Sequence, residues 1–457
     1  MERRFELRLD ALMEECEVPP AVFRGMMIRL EEFVVPFAEC LIREEQRTHA
    51  GTYCAGLLSD LARKNAESIA YRHDQERKNL QNFIGNSRWD HEPLLRELAW
   101  QVGRELGRDD AVLVFDPSAF AKKGSDSVGV TRQWCGRLGK VENCQVGVYM
   151  GYVSGVEHTL VDVRLYLPKS WACDKKRREK CHVPPGLRYR TRGQLALEML
   201  DARGDLLPHG WVTADDELGR AAWFRRDLRV RNERYLVAVP GTTTIRDLET
   251  APPAYDGFGG VPKSRFVQVR HWCAALDDNA WTRVEVRDGE KGPLVVEIVK
   301  RRVQARDEKR NVGPEETLVV IRRTNDTGGR IVDFYLSDAS IETPLKEFAR
   351  VAKAHHRVEE CIQRAKSEAG LADYEVRTYQ GWYHHQTLSL IATWFLVQET
   401  RRGKKIHAGV DGSASPRGAG AAPACGQRLR PSRLDRARSH ASTSPQPVRP
   451  AVPLAIP

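Results

Sequence analysis

The chain has 457 residues, room for two to four domains at roughly 100–200 residues each. With 41% hydrophobic and 29% charged residues it can bury a core, which excludes a wholly disordered protein, and it holds no run of about 18 apolar residues, which excludes a spanning helix. The formal charge of +10 points toward a polyanionic partner such as nucleic acid.

Residues 1–107 read as an N-terminal helical region. Ala62, Ala66 and Ile69 recur at helical spacing, and Leu94–Trp100 follows Pro93, a first-turn residue, with Asp90 as the cap. A first core segment spans 108–230. Ala111–Phe115 is a continuous apolar run, as in a strand buried on both faces; it is expected to end at Asp116, with Pro117 stopping the ladder. Cys144–Met150 and Leu160–Leu167 read as further strands, the second with one wet face. Lys175–Lys180 reads as a basic loop, 191–204 as a helix, and Trp211–Ala214 as a strand ending at Asp215. Residues 231–340 form a strand-rich insertion, clearest at Tyr235–Val239, Leu294–Val299, Leu318–Ile321 and Phe334–Leu336. Helices return over 341–402: Val351, Ala354, Val358, Cys361 and Ala365 make one apolar stripe, and a second helix runs through Leu388–Leu396.

Residues 403–457 contain no Phe, Trp or Tyr and hold 8 of the 24 prolines, which predicts a disordered tail whose composition reads as a frameshifted reading frame. That tail carries a net +7, so residues 1–402 carry only +3. The case for nucleic acid therefore rests on local features rather than on bulk charge.

The main local feature is acidic. Asp116 and Asp215 each leave the end of a short buried strand, where the backbone is rigid and the side chain meets loops. Two such carboxylates can hold divalent cations through hard oxygen ligands. The striped helix offers a third, Glu359, with Lys366 about two turns later on the same face. Asp216 and Glu360 are adjacent competitors. The plainer alternative is that acidic residues at strand ends start turns or cap helices.

Three segments carry a resemblance: VFDPSAFAKKGSDSVGVTRQWCGRLGKVENCQVGVYMGYV, WVTADDELGR, and the stretch from FYLSDASIE to TYQGWYHH. In this order they resemble the catalytic blocks of bacterial insertion-sequence DDE transposases. The resemblance implies an α/β fold, a ribonuclease H-like mixed sheet flanked by helices, with the β-strand-rich insertion between the second Asp and the Glu. It gives Asp116, Asp215 and Glu359 catalytic and metal-binding roles. Asp215 is preferred because it stands four before Gly219, and Glu359 because Lys366 completes the pattern Y-x2-R-x3-E-x6-K. Ala352 and His355 replace the Tyr and Arg of that pattern. Lys366 and His355 are expected to contact phosphate, and Lys122, Lys123, Arg132, Arg137 and Lys140 to line the DNA backbone near the site.

The implied reaction is cleavage at transposon ends followed by strand transfer, assisted by two Mg²⁺ ions, with Mn²⁺ able to substitute. The implied partners are double-stranded DNA, as end repeats and as target, and further copies of the chain in a synaptic homo-oligomer, with no membrane. The N-terminal helices would serve end binding or assembly. Scattered cysteines without a CxxC pair suggest reduced thiols, hence a cytoplasmic, nucleoid-associated protein. Cys173, Cys181 and His182 match no zinc spacing. Trp272 and Trp281 read as buried rather than base-stacking residues, and His384-His385 as helix surface.

Overall fold

The apolar run that begins at Ala111 becomes the centre of a mixed sheet in the computed structural model, which describes residues 24–252, 254, 263–289, 292–324 and 329–411. Among the described residues five helices come first: α1 (Met26–Glu39), α2 (Glu44–Leu57), α3 (Ala66–Arg72), α4 (Arg77–Gly85) and α5 (Glu92–Leu106). The core follows with β1 (Val112–Ala121), β2 (Thr131–Cys135), β3 (Lys140–Ser154) and β4 (Glu157–Tyr166). Next are α6 (Lys169–Ala172), α7 (Lys175–Lys180), α8 (Arg192–Arg203), β5 (Trp211–Ala214), α9 (Asp216–Gly219) and α10 (Ala222–Val230). The insertion contributes β6 (Leu236–Ala238), β7 (Thr244–Asp247), β8 (Val267–Gln268), α11 (Val269–Ala274), β9 (Thr282–Gly289), β10 (Gly292–Arg306), β11 (Val312–Thr324) and β12 (Arg330–Ser337). Two long helices close the order, α12 (Leu345–Glu368) and α13 (Tyr379–Asp411).

In the first sheet β3 lies between β4 and β1, antiparallel to both, and also pairs with β2 at its start. β5 runs parallel to β1, Val112–Phe115 lying against Trp211–Ala214, and a parallel bridge from Val212 to Tyr235 adds the segment entering β6. Helices cover both faces. α12 crosses one, where Trp211 meets Phe348 edge-on at 6.0 Å and donates to Glu347 at 2.7 Å. α8 covers the other, where Arg203 reaches the buried Asp162 at 3.0 Å. This is the mixed sheet flanked by helices expected of a ribonuclease H-like core.

The insertion forms a second, antiparallel sheet in the order β6-β12-β11-β10-β7-β8, with β9 also on β10. It is not a separate appendage, because β6 follows directly on the segment that bridges the first sheet. A buried ion pair ties the two together: Arg225 of α10 donates to Glu316 of β11 at 2.9 Å and to the Gly219 carbonyl at 2.6 Å, while the Tyr235 hydroxyl donates to Glu316 at 2.6 Å. Trp272 and Trp281 pack, half-buried, on the insertion's own apolar cluster, Trp272 donating to Asp247 at 2.9 Å and Trp281 lying under the Arg322 guanidinium at 4.2 Å.

The N-terminal helices assemble around α13, whose residues 381–395 are buried on every side, the pattern of a central helix. Phe33 meets Phe395 at 5.2 Å, Arg29 pairs with Glu399 at 2.8 Å, and Trp89 stacks on His384 at 3.6 Å. His384 and His385 are thus core residues rather than helix surface. His384 binds the Ile84 and Trp89 carbonyls, both at 2.9 Å, and His385 meets Tyr53 Oη at 2.9 Å and the Gly370 carbonyl at 3.0 Å. Polar type misled because these imidazoles find partners on other elements.

Several local expectations differ from the structure for physical reasons. β1 continues through Pro117 to Ala121; β5 stops at Ala214, so beyond Phe115 the strand has β3 as its remaining ladder and the missing N–H costs little there. β4 has no wet face at its centre, because Asp162 is buried against Arg164 at 3.2 Å and Arg203. The basic run 175–180 is the helix α7, capped by Asp174, which accepts from the Arg177 N–H at 2.9 Å. Ala62 precedes α3 rather than lying in it, while Asp90 does cap α5, accepting from the Glu92 N–H at 3.0 Å. α13 runs to Asp411, past the expected start of the tail at 403; the rest of that segment, 412–457, and residues 1–23 lie outside the described residues.

Candidate active site

Asp116 sits mid-strand in β1 opposite Tyr149. Alternation along the strand puts Asp116, Ser118 and Phe120 on one face, the face α12 crosses. Lys366 anchors the crossing: its ammonium donates to Ser118 Oγ at 2.8 Å and lies 4.7 Å from the Phe120 ring centre. The approach depends on Gly151 of β3. A Cβ there would stand 2.5 Å from Val358 Cγ2, so only glycine lets α12 settle at this depth, and Glu359 is the next residue.

Asp215 arrives from the neighbouring parallel strand. It leaves the end of β5 and caps α9, Oδ1 accepting from the Leu218 N–H at 3.0 Å. Gly219 closes this turn because a side chain there would collide with the Ala238 carbonyl of β6. Sheet order therefore brings the end of β5 beside the middle of β1, and α12 crosses over them with a third carboxylate.

The His355 ring stands between two of these groups, with Nε2 3.8 Å from Asp116 Oδ1 and Nδ1 3.5 Å from Glu359 Oε1. Glu359 also meets His356 at 3.3 Å. His355 and Glu359 open on a cleft of about 350 Å³ that Asp215 and Asp216 also line. Its facing wall is Val296, Ile321, Arg323, Asp333 and Tyr335 of the insertion sheet. Glu360 meets His356 at 3.2 Å and lines a separate hollow of about 70 Å³ beside Arg357.

Burial drives the electrostatics. It pushes the Asp116 carboxyl well above the usual range, repulsion from Asp215 and Glu359 adds to this, and Lys366 opposes it. Asp215 is pushed up to about 7, mainly by burial, with Glu217 and Asp216 adding and the Leu218 N–H opposing. Burial lowers His355, against the pull of Glu359. A divalent cation would relieve this crowding of suppressed carboxylates. The donors are hard oxygens, and the buried Nε2 of His355 has no hydrogen-bond partner. As placed, no three His, Cys, Asp or Glu side chains among the described residues stand close enough to hold one ion, so metal entry requires the carboxylates to draw inward.

The remaining basic residues lie apart from this cluster. Lys122 is six residues along from Asp116, on the order of 20 Å at about 3.3 Å per strand residue. Its ammonium is engaged by the Tyr374 carbonyl at 3.1 Å and the Tyr374 ring at 3.5 Å, and burial pushes it down to about 8. Lys123 and Arg132 are exposed, and Lys140 pairs with Glu142 at 3.2 Å. Arg137 lies in the turn between β2 and β3, its side chain outside the described residues. Sequence reasoning missed Tyr335, Arg323 and Asp333; their strands were legible, but nothing in the sequence says that these strands face the carboxylates.

A family model described as DDE superfamily endonuclease matches residues 36–293, more than half of the chain. Asp116 and Asp215 fall inside that match, and Glu359 and Lys366 lie beyond it. A curated relative, the probable transposase for insertion sequence element IS701 of Microchaete diplosiphon, is 31% identical over 195 residues, covering 40% of this chain and 46% of that protein. The chain's match thus spans about half the length of that relative. Among solved structures, a cryo-EM structure of a piggyBac transposase synaptic complex with hairpin DNA aligns over 80% of this chain and 68% of that one, at 9% identity and a TM-score of 0.35. No helix among the described residues is long and apolar enough to cross a membrane.

Proposed function

The chain belongs to the DDE superfamily endonucleases, and from that premise we propose that it is an insertion-sequence transposase that cleaves DNA at transposon ends and transfers the freed strand to target DNA. The observation that carries this reading is the approach of Asp116 from the middle of β1, Asp215 from the end of the adjacent β5 and Glu359 from the crossing helix, with the first two carboxyls held well above their usual range.

Asp116, Asp215 and Glu359 would hold the divalent ions, Mg²⁺ or Mn²⁺. Bound there, such ions supply Lewis-acid activation of a water or 3′-hydroxyl and neutralise charge on the scissile phosphate and leaving oxygen. The chain's own residues do the rest. The β1 ladder and the α9 cap fix two carboxylates on rigid backbone. Val358 against Gly151 sets the depth of α12 and so the height of Glu359. Lys366, at Ser118, places positive charge two residues from Asp116 on the same strand face. His355 holds apart two like charges until the carboxylates draw together. Double-stranded DNA, as end repeats and as target, is the proposed substrate, and a synaptic homo-oligomer is the proposed working form.

The test is cleavage of a duplex carrying the element's own ends, in Mg²⁺ or Mn²⁺. The expected result is a nick at the end, lost in Asp116→Ala, with joined products when target DNA is added. End binding by the unmutated chain with no cleavage would replace this reading with that of a DNA-binding protein lacking catalysis. Cleavage without joining would favour a nuclease unconnected to transposition.

A further inference from the structure

We propose that the cleft wall built by β11 and β12 grips the DNA backbone beside the carboxylates, with the Tyr335 hydroxyl and the Arg323 guanidinium as its phosphate contacts. This rests on the reading of the cleft as a DNA site and adds to it which side holds the strand.

On the α12 side of the cleft, Lys353 and His356 stand beside the methyl group of Ala352, and the His355 ring lies between Asp116 and Glu359. The cleft as a whole is acidic: Asp215, Asp216, Asp333 and Glu359 line it, against Arg323 and Lys353. A polyanion entering it needs cationic and donor groups besides any metal, and to Lys353 of α12 the insertion sheet adds Arg323 and Tyr335 on the facing wall.

Tyr335 is fixed by its ladder, opposite Val319 on one side and Ala238 on the other. Ala238 is the residue whose carbonyl presses on Gly219, the end of the turn that Asp215 caps. Tyr335 and Asp215 therefore belong to one rigid unit, and a phosphate located by one is located relative to the other. The Tyr335 side chain is half-buried on the cleft wall, and its neutral hydroxyl is a hydrogen-bond donor there. Arg323 stands nearer the rim, about 40% exposed, paired with Asp333 at 3.7 Å. That pair is loose and solvated, so exchanging the carboxylate for a phosphate, which a guanidinium can take bidentately, costs little.

The experiment uses the full chain and a fluorescein-labelled duplex of the element's terminal sequence. Binding is read by anisotropy in Ca²⁺ over a salt series, and single-turnover cleavage in Mg²⁺. Arg323→Gln is expected to raise Kd about tenfold and to reduce the slope of log Kd against log salt by about one contact, with Arg323→Lys restoring the slope. Tyr335→Phe is expected to raise Kd about fivefold without changing the slope, since it removes a neutral donor. Kd values within twofold of the unmutated chain for both variants, with an unchanged slope, would overturn the proposal. If the unmutated chain binds but does not cleave, the nuclease reading fails while the Kd comparison still decides the wall. If it does not bind, both fail.

Discussion

Replacing Asp215 by Asn is expected to stabilise the metal-free protein at high pH while abolishing its chemistry. Asn keeps the side-chain oxygen that accepts the Leu218 N–H, so the cap on α9 survives. What it removes is a carboxyl that burial pushes up to about 7 from a model-peptide value of 3.8. A carboxyl raised on folding contributes no penalty below its unfolded pKa and progressively destabilises the fold as pH rises through the folded value. At about 1.4 kcal/mol per pH unit between the two values, the ceiling is about 4 kcal/mol; partial exposure and relaxation bring the expected gain to about 1–2 kcal/mol above pH 7. Urea melts in EDTA at pH 4.5 and pH 8 measure it. The variant should exceed the unmutated chain only slightly at the lower pH, which lies just above 3.8, and show a clearly larger gain at the upper one. Saturating Mg²⁺ or Mn²⁺ should then raise the unmutated chain's midpoint and leave the variant's nearly fixed. Equal midpoints at pH 8 in EDTA, or a gain that is the same at both pH values, would refute the electrostatic reasoning.

Three further outcomes are expected. Gly151→Ala sets a methyl 2.5 Å from Val358 Cγ2 and should cost about 1–3 kcal/mol and reduce cleavage by displacing Glu359, with Val358→Ala in the same chain restoring both; absence of rescue in the melt and the cleavage rate would count against it. Arg225→Met strands the Glu316 carboxylate inside the joint between the sheets and should lower stability by about 3–5 kcal/mol in urea melts, with the double variant Arg225→Met/Glu316→Gln recovering part; a loss under 1 kcal/mol would show that the pair is not sealed from water. Apparent affinity for Mn²⁺, followed by its paramagnetic resonance signal, should rise as pH increases toward and past 7, because binding must displace the proton held on Asp215; a flat profile between pH 6 and 8 would contradict this.

The elements that sequence made legible are those whose side chains answer to one neighbour. The stripe Val351–Ala365 on α12 faces one covering layer and the apolar run of β1 is buried on both faces, and the residue pattern reports each directly. Asp116 and Asp215 were legible because each follows a short apolar run, although only Asp215 stands at a strand end, β1 continuing past Asp116 to Ala121. What sequence did not show depends on partners far along the chain. Asp162 and His384 look like surface residues until Arg164 and Arg203 pair with the first and the Trp89 carbonyl meets the second. Pro117 looks like a stop until the length of β5 is known. Tyr335 gains its place only through the register of β12 on β6, and Lys122 loses its reach only because Tyr374 sits beneath it.

The wrapping of α1 to α5 around α13 has a consequence for how the protein is born. Some 270 residues separate the end of α5 from the start of α13, so at about 5–20 residues per second a ribosome leaves the first five helices without their central partner for roughly 15–55 s. During that interval Phe33, Tyr53 and Trp89 lack Phe395, His385 and His384, their ring partners on α13. The nascent amino-terminal part therefore exposes these side chains until α13 emerges, and a transcript truncated before Tyr379 would leave them uncovered.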